Sequence, residues 1–267
     1  MQINYEHYLI AFLDILGFKE ICKESDRSGD TSKLSRILDV CTTATKALKE
    51  IDGKKEIQTL IISDSIILGM KIPEGQTSFT PKEVADFLIA IGRIQFDLFL
   101  SEIPLRGGVS IGKVHFDLNQ KVVIGPAYIE AYELELQAKY PRVIVSSRLI
   151  KELNLETHAD LILCVNQIYQ DSGQQALYNW DRFGDNGLGK LQKDIPFFID
   201  FLRAKEGRIQ VIQDRLDDHV EILNKLTIDN PNHYLKYKWL QDYWLTTYGQ
   251  ALGKYDGKTV RYLTSIS

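Results

Sequence analysis

Paired cysteines are missing from this chain. Its three, Cys22, Cys41 and Cys164, are widely spaced and odd in number, so no disulfide framework is implied and no Cys-x-x-Cys or Cys/His zinc spacing occurs. Reduced, mostly buried thiols are the expectation. No apolar run approaches the ~20 residues that cross a bilayer, and no basic segment leads into an apolar one at the N-terminus. A cytoplasmic protein without a membrane partner is expected. Positive charge is not in excess either: 32 Lys and Arg against 36 Asp and Glu give a net charge of −4. That balance argues against a broad nucleic-acid-binding face but leaves room for a local phosphate site. The five histidines, His7, His115, His158, His219 and His233, include no helix-spaced metal pair. No Walker-type or Gly-x-Ser-x-Gly loop is present, and "RGG" occurs once, too little for an RNA-binding repeat.

What is present is an ordinary globular composition, 44% hydrophobic and 25% charged over 267 residues. Residues 8–14 are apolar and β-rich, as in a central strand, and residues 32–51 carry apolar side chains at helical spacing. Residues 55–71 read as two strands meeting at the short polar turn Ser63-Asp64-Ser65. Thr80 before Pro81 marks the start of a helix ending near Ser101. A strand at 109–116, a short one at 122–124, a helix from Gly125-Pro126 to about 137 and a strand at 143–145 come next. Residues 161–169 and 176–180 read as a hairpin around Asp171-Ser172-Gly173. After Gly189 the pattern turns helical. Residues 195–226 carry Leu202, Ile209, Leu216 and Leu223 at intervals of seven, and a last helix at 233–248 is rich in aromatics. The organisation expected is an α+β domain, 1–185, and a helical extension, 186–267.

Asp14 stands where the local pattern wants burial, in "YLIAFLDILGFKE". A buried, unpaired carboxylate costs several kcal/mol, so it needs a partner, a metal or solvent. Asp64 lies at the turn between two other apolar strands. If those strands neighbour the first, the two carboxylates meet at one sheet edge. A divalent cation, Mg²⁺ or Mn²⁺, would then relieve their repulsion with help from substrate phosphates and water. Ile15, Leu16, Gly17, Phe18 and Lys19 lead into a helix whose free N–H groups can hold phosphate oxygens.

"FLDILGF" resembles the metal-binding strand and phosphate loop of class III nucleotidyl cyclase catalytic domains. "ISDSIILG" is similar to their second metal aspartate in its hairpin. "RGGVSIG" matches their Arg-x-Gly-Ile/Val-x-x-Gly strand, and "GPAYIEAYELE" resembles the opening of their dimer helix. The order and spacing agree over about residues 8–180. This resemblance implies a ferredoxin-like, palm-type α+β fold and a homodimer with its sites at the interface. Asp14, Asp64 and the carbonyl of Ile15 would hold two metal ions. A nucleoside triphosphate would be cyclised by attack of its 3′-hydroxyl on the α-phosphate, releasing pyrophosphate.

The departures are specific. The two positions that read a purine in this family fall on Leu60 and Val122, which cannot hydrogen-bond a base edge. Bacterial pyrimidine cyclases that make cyclic UMP or cyclic CMP in anti-phage signalling also depart from the purine pattern. The transition-state asparagine and arginine fall on Ile129 and Glu133. Arg106, Lys139 or Arg142 could replace the missing cation, since a positive charge there stabilises the phosphoryl oxygens. Glu130, Glu133 and Glu135 read as an exposed acidic face. Two functions stay open: a divergent cyclase, or a nucleotide-binding or regulatory module with the same fold and no turnover.

Overall fold

The computed structural model describes residues 3–178 except 53–56, residues 198–204, and Leu235, Lys236, Lys238, Trp239, Leu240, Tyr243 and Thr247; side chains of 44–52 are not described. The chain divides into two compact units, residues 1–179 with 193–206, and residues 180–192 with 207–267.

In the first unit, β1 (Glu6–Ile15) leads through α1 (Phe18–Ser28) and α2 (Ser32–Asp52) into the hairpin β2 (Ile57–Ile62) and β3 (Ser65–Lys71). Then come α3 (Pro81–Phe99), β4 (Leu105–Asp117), β5 (Val122–Ile124), α4 (Pro126–Ala138), β6 (Val143–Val145), α5 (Arg148–Glu152) and α6 (His158–Gln167). The sheet order is β2-β3-β1-β4-β5, with β6 parallel to β4. Both β2 and β1 run antiparallel to β3, and both β3 and β4 run antiparallel to β1. Among β1 to β4, each parallel pair (β2 with β1, β3 with β4) is therefore split by an antiparallel strand between its members. That is the ferredoxin-like βαββαβ arrangement, so the α+β, palm-type fold class holds.

Alternation along β1 sorts its side chains to two faces. Leu9, Ala11, Leu13 and Ile15 enter the main core with Ile37 and Val40 of α2 and Val84, Phe87, Leu88 and Ile91 of α3. Tyr8, Ile10 and Phe12 pack on the other face with Leu60, Ile67, Val114 and the α4 residues Ala127 and Ala131. Helix α3 starts as its sequence expects. Glu83 N–H donates to Thr80 Oγ1 at 3.3 Å and Thr80 N–H donates to Glu83 Oε2 at 2.7 Å, a reciprocal cap with Pro81 next to it.

Two expectations are corrected. Residues 158–167 form the helix α6, not the first strand of a hairpin. Thr157 and Asp160 close a capping box at its start, and Leu161, Ile162 and Val165 are buried along it, so a short apolar run there has helical spacing. Residues 198–204 are not helical continuation either: Phe198 bridges Ile144, Ile199 bridges Leu177, and a 3₁₀ turn comes next at Phe201–Arg203. The heptad positions Ile209, Leu216 and Leu223 lie outside the described residues. In the second unit, the described residues from Leu235 to Thr247 are helical, and Trp239 stacks on Tyr243 one turn away, ring centroids 5.5 Å apart. Among the described residues no helix is long and apolar enough to cross a membrane.

Helix α4 lies directly on β4. A Cβ on Gly108 would sit 2.2 Å from the carbonyl oxygen of Ala131 and 2.5 Å from Leu134 Cβ, so only glycine allows this approach. Gly108→Ala is expected to lower the unfolding free energy by about 2–3 kcal/mol, because the helix must lift off the sheet. Gly29→Ala, where a Cβ meets open space but φ is +75°, should cost only about 1 kcal/mol. Urea denaturation of both variants checks the ranking, and equal losses would contradict the close packing.

Candidate functional site

Asp14 is the last inward residue of β1 on the α4 face, after Tyr8, Ile10 and Phe12 by the two-residue alternation. Its neighbours across the sheet are Ser65 on β3 and Arg106 on β4. Asp64 precedes Ser65 in the β2–β3 turn, where Ser63 takes a left-handed φ of 57°. Ile15 N–H donates to the Asp64 carbonyl at 2.9 Å, and Leu16 N–H donates to the Pro104 carbonyl at 2.9 Å. The end of β1 is thus stitched to both flanking turns, and the two aspartates share one end of the sheet. Each is partly exposed.

Gly17, at φ +81°, turns the chain from β1 into α1, and no side chain caps that helix. Phe18 and Ile21 pack against the main core, while Lys19 is exposed. The first-turn N–H groups of α1 therefore open beside the aspartates with the positive end of the helix dipole.

Arg106 joins this end of the sheet to α4. Its Nε donates to Asp14 Oδ2 at 3.0 Å and makes an ion contact at 2.5 Å with Glu135 Oε1. Glu135 is buried, 2% exposed. Burial pushes its carboxyl above the usual carboxylate range, Arg106 pulls it down, and the charges of Asp14 and Asp64 push it up.

The expected acidic face of α4 needs correcting accordingly. Glu133 is exposed, but Glu135 is not, and Glu130 accepts from Ser110 Oγ at 2.6 Å and Ser146 Oγ at 2.8 Å while pairing with Arg148 at 2.8 Å. A signal for Glu135 was available. It lies four residues beyond Ala131 and eight beyond Ala127, the spacing of one helix face, and both alanines are fully buried.

The remaining sequence candidates are dispersed. Leu60 is buried on β2 and Val122 is half-buried on β5, at opposite margins of the sheet, roughly 19 Å apart across four strand spacings alone and offset along the strands as well. One chain does not bring them together. Arg142 is wholly buried; its Nε donates to the Ala138 carbonyl at 3.0 Å and its guanidinium lies 5.5 Å from the Tyr140 ring centroid. It closes the C-terminal end of α4 and does not face the aspartates from solvent. Lys139 is exposed, with φ 56°.

Two carboxylates and the Ile15 carbonyl are hard oxygen donors that suit Mg²⁺ or Mn²⁺, which keep several waters and take phosphate oxygens as ligands. Among the described residues no three His, Cys, Asp or Glu side chains gather as a metal cage. A cation here would complete its shell with water, phosphate oxygens or other groups beyond these donors.

No family model matches this chain, and no curated protein matches it. Solved structures similar to it include the adenylyl cyclase CyaB from P. aeruginosa, 15% identical over 58% of this chain and 83% of that one, TM-score 0.44. A monomeric guanylyl cyclase domain of the RhoGC fusion protein from the aquatic fungus Blastocladiella emersonii is 15% identical over 58% and 89%, TM-score 0.40. A class III adenylyl cyclase-like ATP-binding protein from Pseudomonas aeruginosa is 11% identical over 62% and 40%, TM-score 0.38. The chain's own strand order carries the fold class.

Glu130→Ala should cost about 2–3 kcal/mol of stability, since it strips a carboxylate from two hydroxyls and a guanidinium at once. Glu133→Ala, on the exposed face, should change stability by less than about 0.5 kcal/mol. Chemical denaturation distinguishes them; similar losses would mean that α4 is not fastened through Glu130.

Proposed function

We propose that the chain binds a nucleoside triphosphate with Mg²⁺ or Mn²⁺ at the Asp14–Asp64 end of its sheet and acts as a divergent nucleotidyl cyclase. The observation that carries this reading is the hydrogen bond from Ile15 N–H to the Asp64 carbonyl. It fastens the two aspartates at one sheet end, beside the uncapped start of α1. Asp14, Asp64 and the Ile15 carbonyl would hold the cation. When bound, it would supply charge neutralisation at the phosphates and lower the pKa of the ribose 3′-hydroxyl. The chain's own groups would orient the substrate, with the residues from Leu16 to Lys19 offering backbone N–H groups to phosphate oxygens. The 3′-oxygen bonds to the α-phosphorus as the bond to pyrophosphate breaks, and the hydroxyl proton passes to solvent. Among the described residues at this end of the sheet, Arg106 is a cation that would approach the α-phosphate.

A homodimer is part of the proposal. Ile129, Tyr132 and Leu136 are 55%, 44% and 52% exposed on α4 and lie three and four residues apart, an apolar stripe suited to a second copy.

A second reading is a nucleotide-binding module without turnover. It is favoured by α4 itself: the two positions where a cyclase would place its transition-state groups hold Ile129 and Glu133, both exposed. Buried Arg142, just beyond the end of α4, offers no substitute.

Incubation of the full chain with ATP, GTP, CTP and UTP in turn, with Mn²⁺, tests both. Pyrophosphate and a cyclic product are expected with at least one of them. Asp14→Ala and Asp64→Ala should each reduce the rate by about 100-fold or more, the scale of a lost electrostatic group. Pyrophosphate release that neither substitution lowers would sink the metal assignment. Thermal stabilisation by nucleotide and Mn²⁺ without any product, lost in both variants, would select the second reading.

A further inference from the structure

Arg106 stands between two carboxylates and satisfies them unequally. Its Nε hydrogen-bonds Asp14 Oδ2 at 3.0 Å, whereas Glu135 Oε1, nearer at 2.5 Å and in ion contact with that nitrogen, is buried and accepts no hydrogen bond. One N–H donates well along one direction at a time. Glu135 is thus an acceptor held ready by a rigid helix, beside a donor engaged elsewhere. A buried carboxylate oxygen left without a donor is costly, so its retention in this position calls for a state in which it is used.

We propose that Glu135 is a positioning residue for the cation site, acting through Arg106: the Nε–H hydrogen bond of the guanidinium goes to Asp14 when no cation is present and passes to Glu135 when Asp14 ligates one. The inference rests on the reading of Asp14 and Asp64 as cation ligands. A divalent charge at Asp14 would repel the guanidinium, and Glu135 is an anionic partner already in contact with it. Without Glu135, Arg106 stays with Asp14 and competes with the cation. The carboxylate of Glu135 thus favours cation binding although it touches no ligand position itself. A purely packing role for Glu135 predicts no such dependence on Arg106.

The test is Mn²⁺ binding to the full chain without nucleotide, read from the electron paramagnetic resonance signal of free Mn²⁺. Melting temperatures in chelator serve as the check on folding. Glu135→Gln should weaken Mn²⁺ binding about tenfold, the usual scale for loss of an outer partner of a metal ligand, and Glu135→Asp should restore part of it. Arg106→Gln should leave binding as tight as in the parent or tighter. In the Arg106→Gln background, Glu135→Gln should then change the dissociation constant by less than about threefold, because the competitor is gone. An equal loss from Glu135→Gln in both backgrounds overturns the handover. So does Arg106→Gln weakening binding as much as Glu135→Gln does. If Glu135→Gln does not fold, the comparison of Arg106→Gln with Glu135→Asp decides by the same signs. Parent protein whose Mn²⁺ binding is absent, or indifferent to Asp14→Ala and Asp64→Ala, overturns the cation reading and this inference with it. Parent binding that depends on both aspartates but not on Glu135 overturns this inference alone.

Discussion

The close approach of α4 to β4 is the constraint on which the site depends. At Gly108 the helix backbone lies where a side chain would otherwise be, so the inward face of α4 is fixed against the sheet with little freedom to turn. Ala127 and Ala131 fill that face without adding bulk, and the next residue in the series is Glu135. The helix therefore delivers a carboxylate into an interior position, where burial of a charge is tolerable only with a partner. Arg106 is that partner, and it is directly across from Asp14 in the strand register. Glu130 fastens the same helix one turn earlier through Ser110, Ser146 and Arg148. Packing at one glycine thus sets the electrostatics at the end of the sheet.

Much of this fold was legible because local signals agreed with long-range ones. Asp14 ends a β-rich run, Ser63-Asp64-Ser65 is a polar break between two apolar strands, and Thr80-Pro81 is a helix start. Each element stands where its residues place it. The rest was hidden for physical reasons. In "LILCV" a strand and a buried helix look alike, and the deciding information is the capping pair Thr157 and Asp160 at its start. Residues 198–204 share the apolar period of residues 205–226 in the sequence, yet their backbone pairs with residues 143–144 and 176–178, which no local period reveals. Glu135 looks like its exposed neighbour Glu133 until Gly108, on the strand beneath the helix, is known to be its floor.

The candidate site divided along the same line. The residues joined by sequence proximity or strand pairing, Asp14 to Lys19 with Asp64 and Arg106, came together. Leu60 and Val122 were singled out by the resemblance to class III cyclases, and Arg142 as a stand-in for the cation that α4 lacks. In one chain they point to separate duties: a core position, a strand margin and the closure of a helix end.

Charge at the sheet end gives the final constraint. Asp14, Asp64 and Glu135 carry a formal −3 against +1 on Arg106, so these four groups sum to −2. Unit charges about 4 Å apart at a partly exposed site interact by about 4 kcal/mol, so a deficit of this size either raises a carboxyl's affinity for a proton or recruits a cation. Protonation of Glu135 answers half of it, in line with the upward push on that carboxyl. A divalent cation answers all of it and leaves Arg106 free to stay with Glu135. The exposed face of α4, with Ile129, Tyr132, Glu133 and Leu136, supplies no positive charge from within the chain. Among the described residues the groups gathered here leave a negative sheet end, and hard carboxylate oxygens beside an open helix start are a donor set that suits a small divalent ion.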